Sequence, residues 1–251
     1  MARLGHDTEA ADSFARAIAL KRLDPEDYRM AAAVHARLRR WDLAAKTIAK
    51  LIEQNPGDHW NWVLSAVLSA RAGDPNAYLR LCRQMLDRFG ETNDPEIAER
   101  TAKSSLLLPL SAPEQKEASR LAERAVATAT GGVQPWALAA KGLAEYRLER
   151  FADALVTTQK SQATMAESAP WFFEVPPRCV RAMALLRLGR LAAAREALDK
   201  ATEVYRSNAP RTLPLELDAS CTDPIICDIL LREAEALILY DPVFPVHPFA
   251  P

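Results

Sequence analysis

The sequence predicts an all-α chain: a right-handed α-α superhelix of about five and a half helix pairs, closed by a C-terminal capping helix. Three observations carry this. A motif, Arg-Leu-x-basic-x-x-x-Ala, recurs as RLGHDTEA from Arg3, RLRRWDLA from Arg37, RLERFADA from Arg147 and RLGRLAAA from Arg187, with a looser copy, RAGDPNAY, from Arg71. Arg3, Arg37 and Arg71 are spaced by 34 positions, Arg71 and Arg147 by 76, and Arg147 and Arg187 by 40. One helix pair fits each interval, two the longest. Helix-start signatures fall between the copies, and no alternating strand pattern competes with them.

The elements follow in order. The first unit keeps only its second helix, 7–22, because the helix that should precede the Arg3 copy is missing. Phe14, Ile18 and Leu20 would then face solvent, where terminal repeats ordinarily carry a polar cap. Two expectations arise: the chain is a fragment of a larger protein, which is the preferred reading, or a second chain covers the helix by self-association. The next pair, 26–38 with 42–54, opens on Asp24-Pro25-Glu26, an Asp N-cap before Pro at the first helical position. Tyr28 is its large aromatic, Ala32 and Ala44 are small where the helices approach, Ile48 is bulky, and Pro56 closes the unit. Close approach needs small facing residues, and a bulky neighbour fills the groove beside them.

Pairs are expected next at 59–71 with 75–89, 94–107 with 114–129, 135–148 with 152–166, and 177–188 with 191–206. Asp94-Pro95-Glu96 repeats the Asp-Pro start, and Ser111-Ala112-Pro113-Glu114 reads as a capping box. Gly142, Ala144, Tyr146, Phe151 and Ala154 fill the characteristic positions of one pair, and Ala182, Ala194, Leu198 and Ala201 those of the last. Gly73 and Gly189 suit inter-helix turns that need a left-handed residue. A loop of about 17 residues leads to a final helix, 224–239, opened by Asp223-Pro224 and striped by Leu230, Ala234, Leu237 and Ile238. Residues 1–239 thus form the repeat domain. In the tail YDPVFPVHPFAP, residues 240–251, prolines stand at every third position, the period of polyproline II, and the segment reads as a stiff, disordered end.

Helix pairs of about 34 residues with these small and aromatic positions resemble the tetratricopeptide (TPR) repeat family. Three longer stretches go further: DHWNWVLSAVLSARAGDPNAYLRLCRQMLDRFGETNDPEIAERTAKSSLLLP (58–109), KGLAEYRLERFADAL (141–155) and LLREAEALI (230–238). Together they resemble the TPR-like helical tails of large bacterial multidomain proteins, where such repeats follow a Ser/Thr protein kinase domain or a WD-repeat propeller. The likeness spans roughly 25–239. It implies a scaffold or interaction module, the catalytic part of such proteins lying upstream. No Gly-rich nucleotide loop, HRD or DFG occurs in these residues.

Composition narrows the function classes. Hydrophobic residues make up 49% of the 251, too many for a disordered chain. The formal net charge of −1 argues against a broad nucleic-acid-binding face. No run of about 18 apolar residues marks a membrane span, and the N-terminus lacks a signal peptide's apolar region. Cys82, Cys179, Cys221 and Cys227 read as reduced thiols, which together with these points predicts a cytoplasmic protein. His6, His35, His59 and His247 are far apart and no C-x-x-C occurs, so neither a metal site nor a cofactor is expected. The chain is read as a non-enzyme.

What remains is a groove. In stacked helix pairs the first helices line a concave surface. Arg37, Arg71, Arg147 and Arg187 each sit on the last turn of such a helix, and would form a basic ladder. Trp60, Trp136, Tyr146 and Met183 would add apolar and aromatic contacts. Such a strip suits an acidic protein or peptide partner, because guanidinium pairs with carboxylate bidentately. The competing reading is that each Arg only complements its helix dipole, and that the tryptophans are packing residues. A helical-repeat RNA binder is the alternative function, disfavoured by the charge balance.

Overall fold

The computed structural model describes residues 2–19, 24–166, 168–210, 212–213, 217 and 219–239. Among them every regular element is helical. The order is α1 (Ala2–Ala19), α2 (Pro25–Arg37), α3 (Trp41–Gln54), α4 (His59–Ala72), α5 (Pro75–Phe89), α6 (Pro95–Ser105), α7 (Ala112–Thr128), α8 (Gln134–Arg147), α9 (Phe151–Ala163), α10 (Val175–Arg187), α11 (Leu191–Asn208) and α12 (Ala219–Ile238). Short 3-10 turns at Gly131–Val133 and Trp171–Phe173 precede α8 and α10. No helix among the described residues is long and apolar enough to cross a membrane. The chain divides into two compact units, Met1–Leu81 with Pro210–Ile225, and Cys82–Ala209 with Ile226–Pro251.

In the first unit α1 packs on α2, α2 on α3 and α3 on α4. Asp24 caps α2 as its signature predicts: its side chain accepts from the Asp27 N–H at 3.0 Å, and Asp27 returns a bond to the Asp24 N–H. A cap of this kind contributes about 1 kcal/mol. Ala32, Ala44 and Ile48 are fully buried where α2 meets α3. The Arg3 copy contains no turn, because α1 runs unbroken from Ala2 to Ala19. Glycine permits a left-handed turn without requiring one, and Asp7, just beyond Gly5, is held by Arg37. Nor is the open side of α1 apolar. Asp7 and Ala11 are buried and Phe14 and Ile18 half-buried, all on one stripe, while His6, Thr8, Glu9, Asp12, Ser13 and Arg16 face solvent. Leu20 lies outside the described residues.

The second unit repeats one arrangement three times. α6 pairs with α7, α8 with α9 and α10 with α11, each pair packs on the next, and the first helices α6, α8 and α10 also touch in sequence. This is the packing of a TPR-like helical solenoid. The approach of α8 to α9 is close enough to demand glycine: a Cβ on Gly142 would lie 2.7 Å from Thr158 Cγ2. Ala154, Ala182, Ala194, Leu198 and Ala201 are buried at the corresponding contacts.

Two start signals read differently in the structure. Ser111 has the extended backbone of an N-cap, but its side chain makes no capping bond. The last helix begins at Ala219 and takes Pro224 inside it, so Asp223 is not its cap. Only one backbone donor is lost there, near the helix start, and the apolar stretch from Ile225 onward, largely buried, holds the helix regardless. The proline-rich tail, 240–251, lies outside the described residues.

Candidate functional site

The motif is first a turn. Its third residue is left-handed in each of four copies: Arg39 at φ 57°, Gly73 at 73°, Glu149 at 60° and Gly189 at 75°. In three of them the following N–H bonds back to the helix, from Arg40 to His35 O, Arg150 to Glu145 O and Arg190 to Leu185 O, at 2.8–2.9 Å. With the bonds from Arg39 to Ala36 O, Glu149 to Tyr146 O and Gly189 to Leu186 O, these are Schellman closures. Each places the motif arginine on the last helical turn.

Each arginine then reaches back to a segment earlier in the chain. In the first unit Arg37 Nε donates to Asp7 Oδ2 at 3.0 Å, and Nη1 to Leu213 O at 3.2 Å. Arg71 lies over the Trp41 ring, 4.9 Å from its centroid. In the second unit Arg147 Nε and Nη2 donate to Leu106 O and Leu107 O, at 2.9 and 2.8 Å, satisfying carbonyls at the end of α6. Its guanidinium also grips Glu233 of α12 bidentately, with Nη2–Oε2 at 2.7 Å. Arg187 lies 5.0 Å from the centroid of Phe151 and 3.7 Å from Glu149. Its side chain is 47% exposed, against 6% for Arg147.

The aromatic candidates divide similarly. Trp60, in the first unit, is half-buried with His59 beside it at 5.7 Å. In the second unit Trp136 is half-buried against Phe173 at 3.8 Å, with the Lys103 ammonium 4.1 Å over its ring. Tyr146 is buried 5.7 Å from Phe151. Burial pushes its hydroxyl pKa up; nearby Glu233 adds to the rise, and Arg147 and Arg187 oppose it. Met183 is fully buried and fills the core rather than a surface. The second unit therefore joins Arg147, Tyr146, Phe151 and Arg187 in one string, in which Arg147 lies 5.5 Å from the Tyr146 ring.

That string already has an occupant. Besides Glu233 on Arg147, Cys227 of α12 directs its Sγ to Phe172 O at 3.6 Å. The Cys179 thiol of α10 is held far above the ordinary range by burial, then by Glu235 and Glu233. α8 is buried almost without a break from Ala137 to Tyr146. All four cysteines are buried.

A second feature of this unit is a cavity of about 310 Å³ between α9, α10 and α11. Gln162 comes from α9, Arg178, Arg181 and Leu185 from α10, and Arg190, Ala193, Glu196, Ala197 and Lys200 from the start and flank of α11.

No family model matches this chain, and no curated protein does. Nine solved chains match in structure. One is MamA of AMB-1 in a P212121 crystal form, 16% identical with a TM-score of 0.42, over 72% of this chain and 98% of that one. The helical repeat rests on this chain's own pairing and turns.

Sequence reasoning selected the motif arginines by their recurrence and passed over Arg178, Arg181, Arg190 and Lys200, which do not recur as a set. A signal for them does exist. Aligned on Arg147 and Arg187, Lys141 and Glu145 of one copy stand where the next has Arg181 and Leu185. A cation is kept and its acid lost.

Proposed function

We propose that this chain is a protein-interaction scaffold, and that the first-helix face of its second unit takes a helical segment bearing carboxylates. The observation that carries the reading is the bidentate grip of Arg147 on Glu233. The chain's own α12 thereby displays the chemistry of a ligand: an apolar helix whose acid meets the motif arginine. A partner helix of the same character replaces α12, with Arg147, Arg187, Trp136 and Tyr146 as its contacts and Met183 supporting them from the core. Arg37, Arg71 and Trp60 form the corresponding set in the first unit. The formal charge of −1 favours protein over RNA as partner. The resemblance of residues 58–109 to the tails of bacterial kinase and WD-repeat proteins supports a cytoplasmic regulatory module within a larger signalling protein.

The test is a photo-crosslinking residue at Leu188, exposed beside Arg187, used in the source cell, with partners identified by mass spectrometry. The partner's affinity is then measured against the native chain and Glu233→Gln. A protein bound at least several-fold more tightly by Glu233→Gln is expected, because loosening α12 vacates its place. Indifference to that change would overturn the face, and a crosslink removed by ribonuclease would overturn the partner class.

A further inference from the structure

We infer that the cavity between α9, α10 and α11 is a binding site for an oxyanion of more than one negative charge, a phosphoryl group or closely paired carboxylates presented by a peptide. The site is separate from the string of Arg147, Tyr146 and Arg187, and the inference does not depend on how α12 is displaced.

The lining holds four cationic side chains against one carboxylate. Glu196 is taken by Lys200 at 2.6 Å. Arg178 uses Nη2 on Glu174 at 2.6 Å, while its buried Nε has no hydrogen-bond partner. Arg181 and Arg190 make no side-chain hydrogen bond or salt bridge among the described residues, although Arg181, after Lys200, helps hold the Glu196 carboxyl below the ordinary range. Arg178, Arg181 and Leu185 lie on one stripe of α10 at the i, i+3, i+7 spacing, facing Arg190, Ala193, Ala197 and Lys200 on α11. The two alanines leave the volume open, and the long cations surround it.

An exposed basic face is ordinarily just solvated, but the neighbouring pair provides an internal control. There Lys141, the counterpart of Arg181, is paired with Glu145 at 3.5 Å, and Arg150, the counterpart of Arg190, with Glu123 at 3.5 Å. Both acids are gone from the last groove. Leu185 stands in place of Glu145, and α9 carries no acidic side chain beyond Asp153. The same architecture is charge-balanced in one pair and left cationic in the next. Converging guanidinium groups repel one another across a cavity, and an oxyanion that accepts from several of them removes that repulsion while gaining charge-assisted bonds.

The experiment titrates the full chain with inorganic pyrophosphate, and with one short peptide in three forms carrying Ser, phosphoserine or Glu-Glu, read by calorimetry. Saturable binding of pyrophosphate or of the charged peptides, weakening with salt, is expected, with at least a tenfold loss in Arg181→Gln and in Arg190→Gln. Arg195→Gln, on α11 outside the lining, should leave it unchanged. Binding of pyrophosphate alone identifies the phosphoryl group itself as the ligand, whereas binding only of charged peptides assigns a peptide-borne anion. Leu185→Glu, which restores the neighbouring pair's acid, should abolish binding. Equal binding of the Ser peptide, no binding of any anion, or unchanged affinity in both arginine variants with their melting temperatures intact would each overturn the site.

Discussion

Arg147 and Glu233 meet across 86 positions of sequence, the guanidinium 6% and the carboxylate 16% exposed. Arg147 has also given hydrogen bonds to Leu106 O and Leu107 O, so three otherwise separate segments close on one side chain. Removing one member of a buried pair leaves the other charged and desolvated, which costs about 3–5 kcal/mol. Arg147→Ala is expected to lose about that much in urea unfolding. Glu233→Gln keeps an acceptor for the guanidinium and leaves both carbonyl bonds, so its loss should be nearer 1–2 kcal/mol. Equal losses in the two variants would mean that the carbonyls contribute nothing.

The four left-handed turn residues predict opposite signs for opposite substitutions. No atom lies within 4 Å of a Cβ built on Gly73 or Gly189, so alanine there meets only backbone strain. Gly189→Ala should cost about 1–2 kcal/mol. Arg39 is exposed and already bears that strain at φ 57°. Arg39→Gly relieves it, at an entropic cost of about 0.5–1 kcal/mol in the unfolded chain. A net gain of about 0.5 kcal/mol is expected from the shift in urea midpoint. Destabilisation by Arg39→Gly would show that its side chain matters more than its turn.

Helix positions were legible wherever a local signal stood at the boundary. Asp24 and Asp94 cap α2 and α6, and Gly73 and Gly189 turn where they were placed. Non-glycine turns at Arg39 and Glu149 were hidden, because those residues carry no preference for the left-handed region. The Asp223-Pro224 start signal misled for the converse reason: the helix begins upstream of it, at Ala219, and takes Pro224 inside its early turns. The arginines were legible as a recurrence but not as contacts. Leu213 lies 176 positions from Arg37 and Glu233 86 from Arg147, and no helical period reports such distances. The cavity's cations could be read only by asking what each copy had lost.

Gly142 sets a prediction in which two effects compete. Helix propensity alone favours alanine by about 1 kcal/mol. The added methyl would stand 2.7 Å from Thr158 Cγ2, and overpacking of that kind costs about 1–3 kcal/mol. Gly142→Ala should therefore be destabilising by roughly 1 kcal/mol. Thr158→Ser removes Cγ2 while keeping the hydroxyl bond to Ala154 O at 2.7 Å. In that background the propensity term acts alone and Gly142→Ala should become stabilising. A double-mutant cycle measures the coupling, and a coupling near zero would place the strain elsewhere.

His35 gives the fold a pH dependence with a definite sign. It is 6% exposed on α2, and its pKa is lowered from the ordinary 6.5 by burial first and by Arg40 second, with Asp42 opposing. Its Nδ1 is buried without a hydrogen-bond partner. A depressed histidine pKa means that the unfolded chain binds the proton more readily than the folded one. Stability from this group is thus intact above pH 6.5, falls as pH drops through 6.5, and stops falling below the folded pKa. Urea midpoints taken at pH 8, 6 and 5 should decline in the native chain. The decline should be shallower in His35→Gln, which cannot titrate, since other groups contribute equally to both proteins. Parallel declines would show that His35 takes its proton as easily in the folded chain as in the unfolded one.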